Sequence, residues 1–197
     1  MNYSALPPAY VVYQAVDLQR DRKSALLVGF LSVGIAAVMV IAAVFLVPFS
    51  RFLSFDAPTS ADTIRLLLLI PAIVFYVVTH ELIHGAFFRH YGKAKPKYGF
   101  SGLYFYAGSE GYYDRRSYGI IALAPVLVWF ILLLVLDAVL PEKYFWFFYI
   151  LQIVNLSGAA GDFYIAYLAR TMPADVLIRD SGTEMEFYVR AEKIKRE

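Results

Sequence analysis

The segment Leu66–Thr79 is apolar almost throughout, and it runs without a break into His80-Glu81-Leu82-Ile83-His84. Hydrocarbon tolerates ionisable side chains only when they have partners and a role, so this junction constrains the fold more than any other stretch. Histidines four apart on a helix share one face, and a glutamate beside the first reaches the same place. The spacing is the H-E-x-x-H zinc signature, in which the histidines hold the metal and the glutamate is general base for a metal-activated water. The expectation is a zinc metallopeptidase centre with His80 and His84 as ligands and Glu81 as the catalytic base.

Composition agrees with a membrane setting. Of 197 residues, 60% are hydrophobic and 17% charged, against roughly a quarter charged in ordinary soluble domains. Apolar runs long enough to cross a bilayer are read at Ala25–Phe49, Leu66–Phe88, Tyr118–Leu140 and Tyr144–Ala169. The expected fold is therefore an all-α membrane protein of four transmembrane helices carrying small cytoplasmic β-hairpin elements. It divides into a juxtamembrane tail (1–24), a four-helix transmembrane metalloprotease domain (25–171) and a C-terminal hairpin and tail (172–197).

The basic residues give this layout a direction. Arg20, Arg22 and Lys23 precede the first span, Arg89, Lys93, Lys95, Lys97, Arg115 and Arg116 lie between the second and third, and Arg170, Arg179, Arg190, Lys193, Lys195 and Arg196 follow the fourth. Only Arg51, Arg65 and Lys143 fall in the other loops. The positive-inside rule then places both termini in the cytoplasm. It makes the chain a multi-pass protein of the cell membrane with its motif near the cytoplasmic side.

The net charge of +2 is too small to suggest a nucleic-acid partner. With no cysteine in the chain, a disulfide framework, a thiolate metal site and a thiol nucleophile are all excluded. Within the N-terminal segment Met1–Ser24, Tyr10–Leu18 reads equally as a short amphipathic surface helix or as part of a plain juxtamembrane tail. In the loop after the second span, Gly108-Ser109-Glu110-Gly111 offers a turn between aromatic extended runs. Asp180-Ser181-Gly182-Thr183 offers another between Val176–Arg179 and Met185–Val189.

A catalytic zinc takes three protein ligands, so one is missing from the motif. His90, Glu110, Asp114, Asp137, Glu142 and Asp162 are the candidates. At 1.5 Å per residue, His84 is about 6 Å, Asp162 about 10 Å and His80 about 12 Å from the inner ends of their spans. Asp162 thus matches the histidines in depth. Asp137 and Glu142 lie at the outer end of the third span, and His90 points to another helix face; Glu110 and Asp114, in the inner loop, stay open. Ser157-Gly158-Ala159-Ala160-Gly161 allows close helix approach. Asn155, seven residues before Asp162, reads equally as an oxyanion donor in catalysis and as an interhelical hydrogen bond. Pro71 and Pro125 read as kinks.

These residues carry a resemblance. His80–His84 on a membrane helix, with Asn155 and Asp162 downstream, resembles the site-2 protease type of intramembrane zinc metalloprotease. The layout from Leu66 to Val189, including Leu123-Ala124-Pro125 and Gly161-Asp162-Phe163-Tyr164, is similar to the small bacterial membrane proteins described as putative zincin peptidases. One departure is that Asp162 is followed by Phe163, where site-2 proteases carry glycine. The resemblance implies a bacterial cytoplasmic membrane and Zn2+ held by His80, His84 and Asp162, but the substrate habits of site-2 proteases are not carried over. The membrane setting of the motif makes a membrane-associated protein or peptide the expected substrate. The alternative function is a non-proteolytic metal-binding membrane protein acting as sensor, scaffold or transporter.

Overall fold

The computed structural model of the chain describes residues 1–53, 59–92, 94–102 and 104–194. Lys93 and Leu103, expected in the inner loop, and Lys195 and Arg196 of the tail lie outside them. Five strands, β1 (Tyr10–Asp17), β2 (Pro96–Phe100), β3 (Phe105–Asp114), β4 (Leu177–Asp180) and β5 (Glu184–Arg190), form one antiparallel sheet in the order β1-β5-β4-β3-β2. The all-α expectation is therefore corrected to a mixed helix-and-sheet fold. The sheet escapes a local reading because its closure is long-range: Tyr10 pairs with Arg190 and Asp114 with Leu177. The segment read as surface helix or tail is the edge strand β1, with Val11, Val12 and Tyr13 exposed and Val16 in the core.

Both hairpin turns rest on glycine. Gly182 has φ +94°, and its N–H donates to the Asp180 carboxylate at 2.8 Å, closing the β4–β5 turn. The β2–β3 turn lies not at Gly108–Gly111 but at Ser101–Tyr104, where Gly102 has φ +91° and Ser101 N donates to Tyr104 O. Gly108 belongs to β3 and is small for another reason. A Cβ there would strike the backbone of Ser181 and Gly182.

Among the described residues, three helices are long and apolar enough to cross a membrane, α1 (Arg22–Leu46), α2 (Ser60–Tyr91) and α3 (Arg115–Val139). Thr59 and Asp62 cap α2 reciprocally, Thr59 N donating to Asp62 at 2.9 Å and Asp62 N to Thr59 Oγ1 at 3.3 Å. Asp114 caps α3 by accepting from Ser117 N at 2.9 Å. The fourth expected span is not a single helix. Tyr144–Ala169 holds α4 (Phe145–Gly158) and α5 (Ala160–Thr171), separated at Ala159, whose φ of −81° and ψ of 13° leave helical geometry. At 1.5 Å per residue they are about 21 and 18 Å long, short of a hydrocarbon core of about 30 Å. In the run Gly158-Ala159-Ala160-Gly161 the two glycines weaken the helix, each costing about 1 kcal/mol of helix propensity.

The chain forms two compact units. One comprises Met1–Val28, His80–Pro125 and Gly161–Glu197 and contains the whole sheet. Its core includes Phe88, Tyr113, Ile121, Ile165, Val176 and Phe187. The other comprises Gly29–Thr79 and Val126–Ala160. It is helical, with a core of Ala43, Val47, Phe52 and Trp146. Among the described residues, twelve of the fifteen Lys and Arg residues, and all three histidines, belong to the sheet unit; Arg51, Arg65 and Lys143 are the helical unit's three.

Candidate metal centre

His80 and His84 lie one turn apart on α2, both buried, with ring centroids 4.9 Å apart. Breaking the helix at Ala159 puts Asp162 in the first turn of α5, where the helix dipole favours a carboxylate. Its oxygens stand 3.4 Å from His80 Nε2 and 3.5 Å from His84 Nε2. One ligand atom from each residue lies within 4.8 Å of the others.

These separations suit a zinc ion. Ligands about 2.0–2.2 Å from a tetrahedral metal stand about 3.4 Å from one another. The proton on His84 gives a second test. His84 Nδ1 is 3.0 Å from the backbone carbonyl of Ile121. A carbonyl only accepts, so Nδ1 holds the hydrogen and Nε2 turns a lone pair toward the Asp162 carboxylate. Lone pair and carboxylate repel unless a proton or a metal ion stands between them. A donor set of two imidazoles and one carboxylate is a catalytic zinc set.

Glu81 is half-buried beside His80 in the motif, and its carboxyl is near enough to His84 and Asp162 to feel their charges. Asp180 was not anticipated. It is buried at the end of β4 and accepts from the Tyr118 hydroxyl at 2.6 Å and from Gly182 N at 2.8 Å. Burial pushes its carboxyl above the usual range despite those two donors, and it is electrostatically coupled to His84 and Asp162. No local signal gave it away, since it reads as an ordinary turn residue.

The remaining candidates fall elsewhere. Glu110 forms ion pairs with Lys97 and Arg179, and Asp114 caps α3. Asn155 is fully buried in the helical unit. Its oxygen accepts from the Tyr76 hydroxyl at 3.2 Å, while its nitrogen donates to Val126 O at 3.1 Å and faces Gln152 Oε1 at 3.5 Å. Both ends of the carboxamide are thus engaged between helices.

Residues 73–177, more than half of the chain, match the family described as "putative zincin peptidase". The chain belongs to that family. The matched stretch of this zincin-type chain contains His80, Glu81, His84 and Asp162. The family implies zinc, and the donor set fits it. No curated protein and no solved structure matches the chain.

Proposed function

We propose that the chain is a zinc-dependent peptidase acting on membrane-associated proteins at or within the cytoplasmic face of a bacterial membrane. The observation that carries this reading is the convergence of His80, His84 and Asp162 at zinc-ligand spacing beside Glu81. Bound zinc would lower the pKa of a water toward neutrality and polarise the scissile carbonyl. Glu81 takes the proton from the attacking water and returns it to the leaving amine.

The surroundings support this setting. Three long apolar helices with exposed side chains such as Phe30 (74%) and Phe45 (87%) need an apolar solvent. The basic residues concentrate in the unit that holds the site, which the positive-inside rule assigns to the cytoplasm. An extended substrate could join the sheet at the free edge of β2. In this reading Asn155 acts as the interhelical tie and not as an oxyanion donor, because its amide hydrogens are already committed.

The test compares membrane-protein fragments in cells carrying the wild-type or the Glu81→Gln protein. Loss of a general base costs roughly 10²–10⁴-fold in rate, so fragments should accumulate with the wild type only, while Glu81→Gln still binds zinc. Identical fragment patterns would favour a sensor, scaffold or transporter over a peptidase.

A further inference from the structure

The acceptor that orients His84 is a carbonyl that an α-helix ordinarily keeps for itself. In α3 the Ile121 oxygen would receive the N–H of residue 125, four positions on. Residue 125 is proline, inside the helix and fully buried, and it has no N–H to give. Ile121 is 1% exposed, so bulk water does not reach the carbonyl either. The donor found there is His84 Nδ1, at 3.0 Å.

We infer that Pro125 is a positioning residue for the metal centre: by withholding a backbone N–H, it reserves the Ile121 carbonyl to hold His84 with its proton on Nδ1 and its Nε2 toward Asp162. A histidine that holds zinc usually donates its other ring N–H to a fixed acceptor, which sets tautomer and ring orientation. Here the acceptor is backbone, and what makes it available is a proline 41 positions beyond the histidine in sequence. The conflict between proline and helix is thereby resolved, since the orphaned oxygen regains a donor. Any residue other than proline at position 125 would bring back the competing N–H.

The inference rests on His84 as a zinc ligand. It is tested on zinc-loaded full-length protein in detergent micelles, labelled with ¹⁵N and ¹³C in histidine. The chain has only three histidines, so the ring signals can be assigned with a His90→Gln variant. The readouts are which His84 nitrogen binds zinc, whether the Nδ1 proton is slow to exchange, and zinc affinity by chelator competition. The wild type should show zinc on Nε2 and a protected, hydrogen-bonded Nδ1 proton. Pro125→Ala should lose that protection and bind zinc about 10–100-fold more weakly, the usual cost of losing such a partner. Pro71→Ala, in α2, should keep wild-type values.

Zinc on Nδ1, an unprotected Nδ1 proton in the wild type, or Pro125→Ala with unchanged protection and affinity would each overturn the inference. An equal loss in Pro71→Ala would do the same. The wild-type spectrum decides alone if Pro125→Ala fails to fold. Failure of the wild type to bind zinc would instead sink the metal assignment itself, and zinc bound through Nε2 without cleavage would sink only the peptidase reading.

Discussion

Asp162 Oδ2 stands 3.4 Å from His80 Nε2, and Asp162 lies in the first turn of the helix that begins after the break at Ala159. A continuous helix would have carried Asp162 at mid-length, whereas the break places it in a first turn with its carboxylate toward both histidines. Replacing Asp162 with Ala removes one of three ligands. Zinc affinity should fall by more than the roughly 10–100-fold typical of losing an outer hydrogen-bond partner. Chelator competition measures this, and Asp162→Ala binding zinc as tightly as the wild type would remove it from the ligand set.

Gly108→Ala should destabilise the sheet unit. The new Cβ meets the Ser181 and Gly182 backbone, which cannot swing aside as a long side chain can. Overpacking of this kind costs about 1–3 kcal/mol. A lowered thermal midpoint in detergent is the expected outcome; an unchanged midpoint would show that β3 and the β4–β5 turn separate freely.

The two tryptophans should behave differently. Trp146 donates its indole N–H to Val47 O at 3.1 Å and Pro48 O at 3.3 Å, serving carbonyls beyond the end of α1. Trp146→Phe leaves them without that donor, at a cost of about 1–3 kcal/mol. Trp129 is buried, and its Nε1 has no hydrogen-bond partner among the described residues. Trp129→Phe deletes an unpaired donor and should cost distinctly less. Thermal midpoints of the two variants make the comparison, and equal losses would contradict it.

Glu110 gives the fold a mild pH dependence. The Lys97 ammonium at 2.8 Å and the Arg179 guanidinium at 2.5 Å hold its carboxyl below the usual carboxylate range. A depressed carboxylate stabilises the fold above its unfolded pKa, and that contribution fades as pH falls through the folded value. Glu110 is 45% exposed, so solvent screening limits the effect to less than about 1 kcal/mol. Wild type and Glu110→Gln should differ slightly in thermal midpoint at neutral pH and converge as the pH falls through the lowered folded value of Glu110. A gap that stays constant over that fall in pH would contradict this.

The closeness of Asp162 to the histidines was legible because periodicity and burial depth are properties of single helices. The depth count nevertheless assumed one continuous fourth helix, since hydropathy does not see the break at Ala159. The β4–β5 hairpin was legible from its turn, but the closing of the sheet by β1 was hidden for a different reason. Tyr10 and Arg190 pair across nearly the whole chain, and no local pattern in the first residues tells that they join a strand so far away. Glycine misled in one direction: Gly108 marks a close approach of backbone, while the turn belongs to Gly102. Pro125 was visible as a proline in a helix, but its consequence needed the recipient of the freed Ile121 carbonyl, and His84 lies 37 residues from that carbonyl.

The most direct test of the account is the zinc K-edge X-ray absorption spectrum of the zinc-loaded protein. Two imidazole nitrogens and one carboxylate oxygen at about 2.0–2.2 Å are predicted, with one imidazole lost in both His80→Ala and His84→Ala and none lost in His90→Ala. A spectrum with three imidazoles, or one that His80→Ala and His84→Ala leave unchanged, would contradict the assignment of the centre to His80, His84 and Asp162.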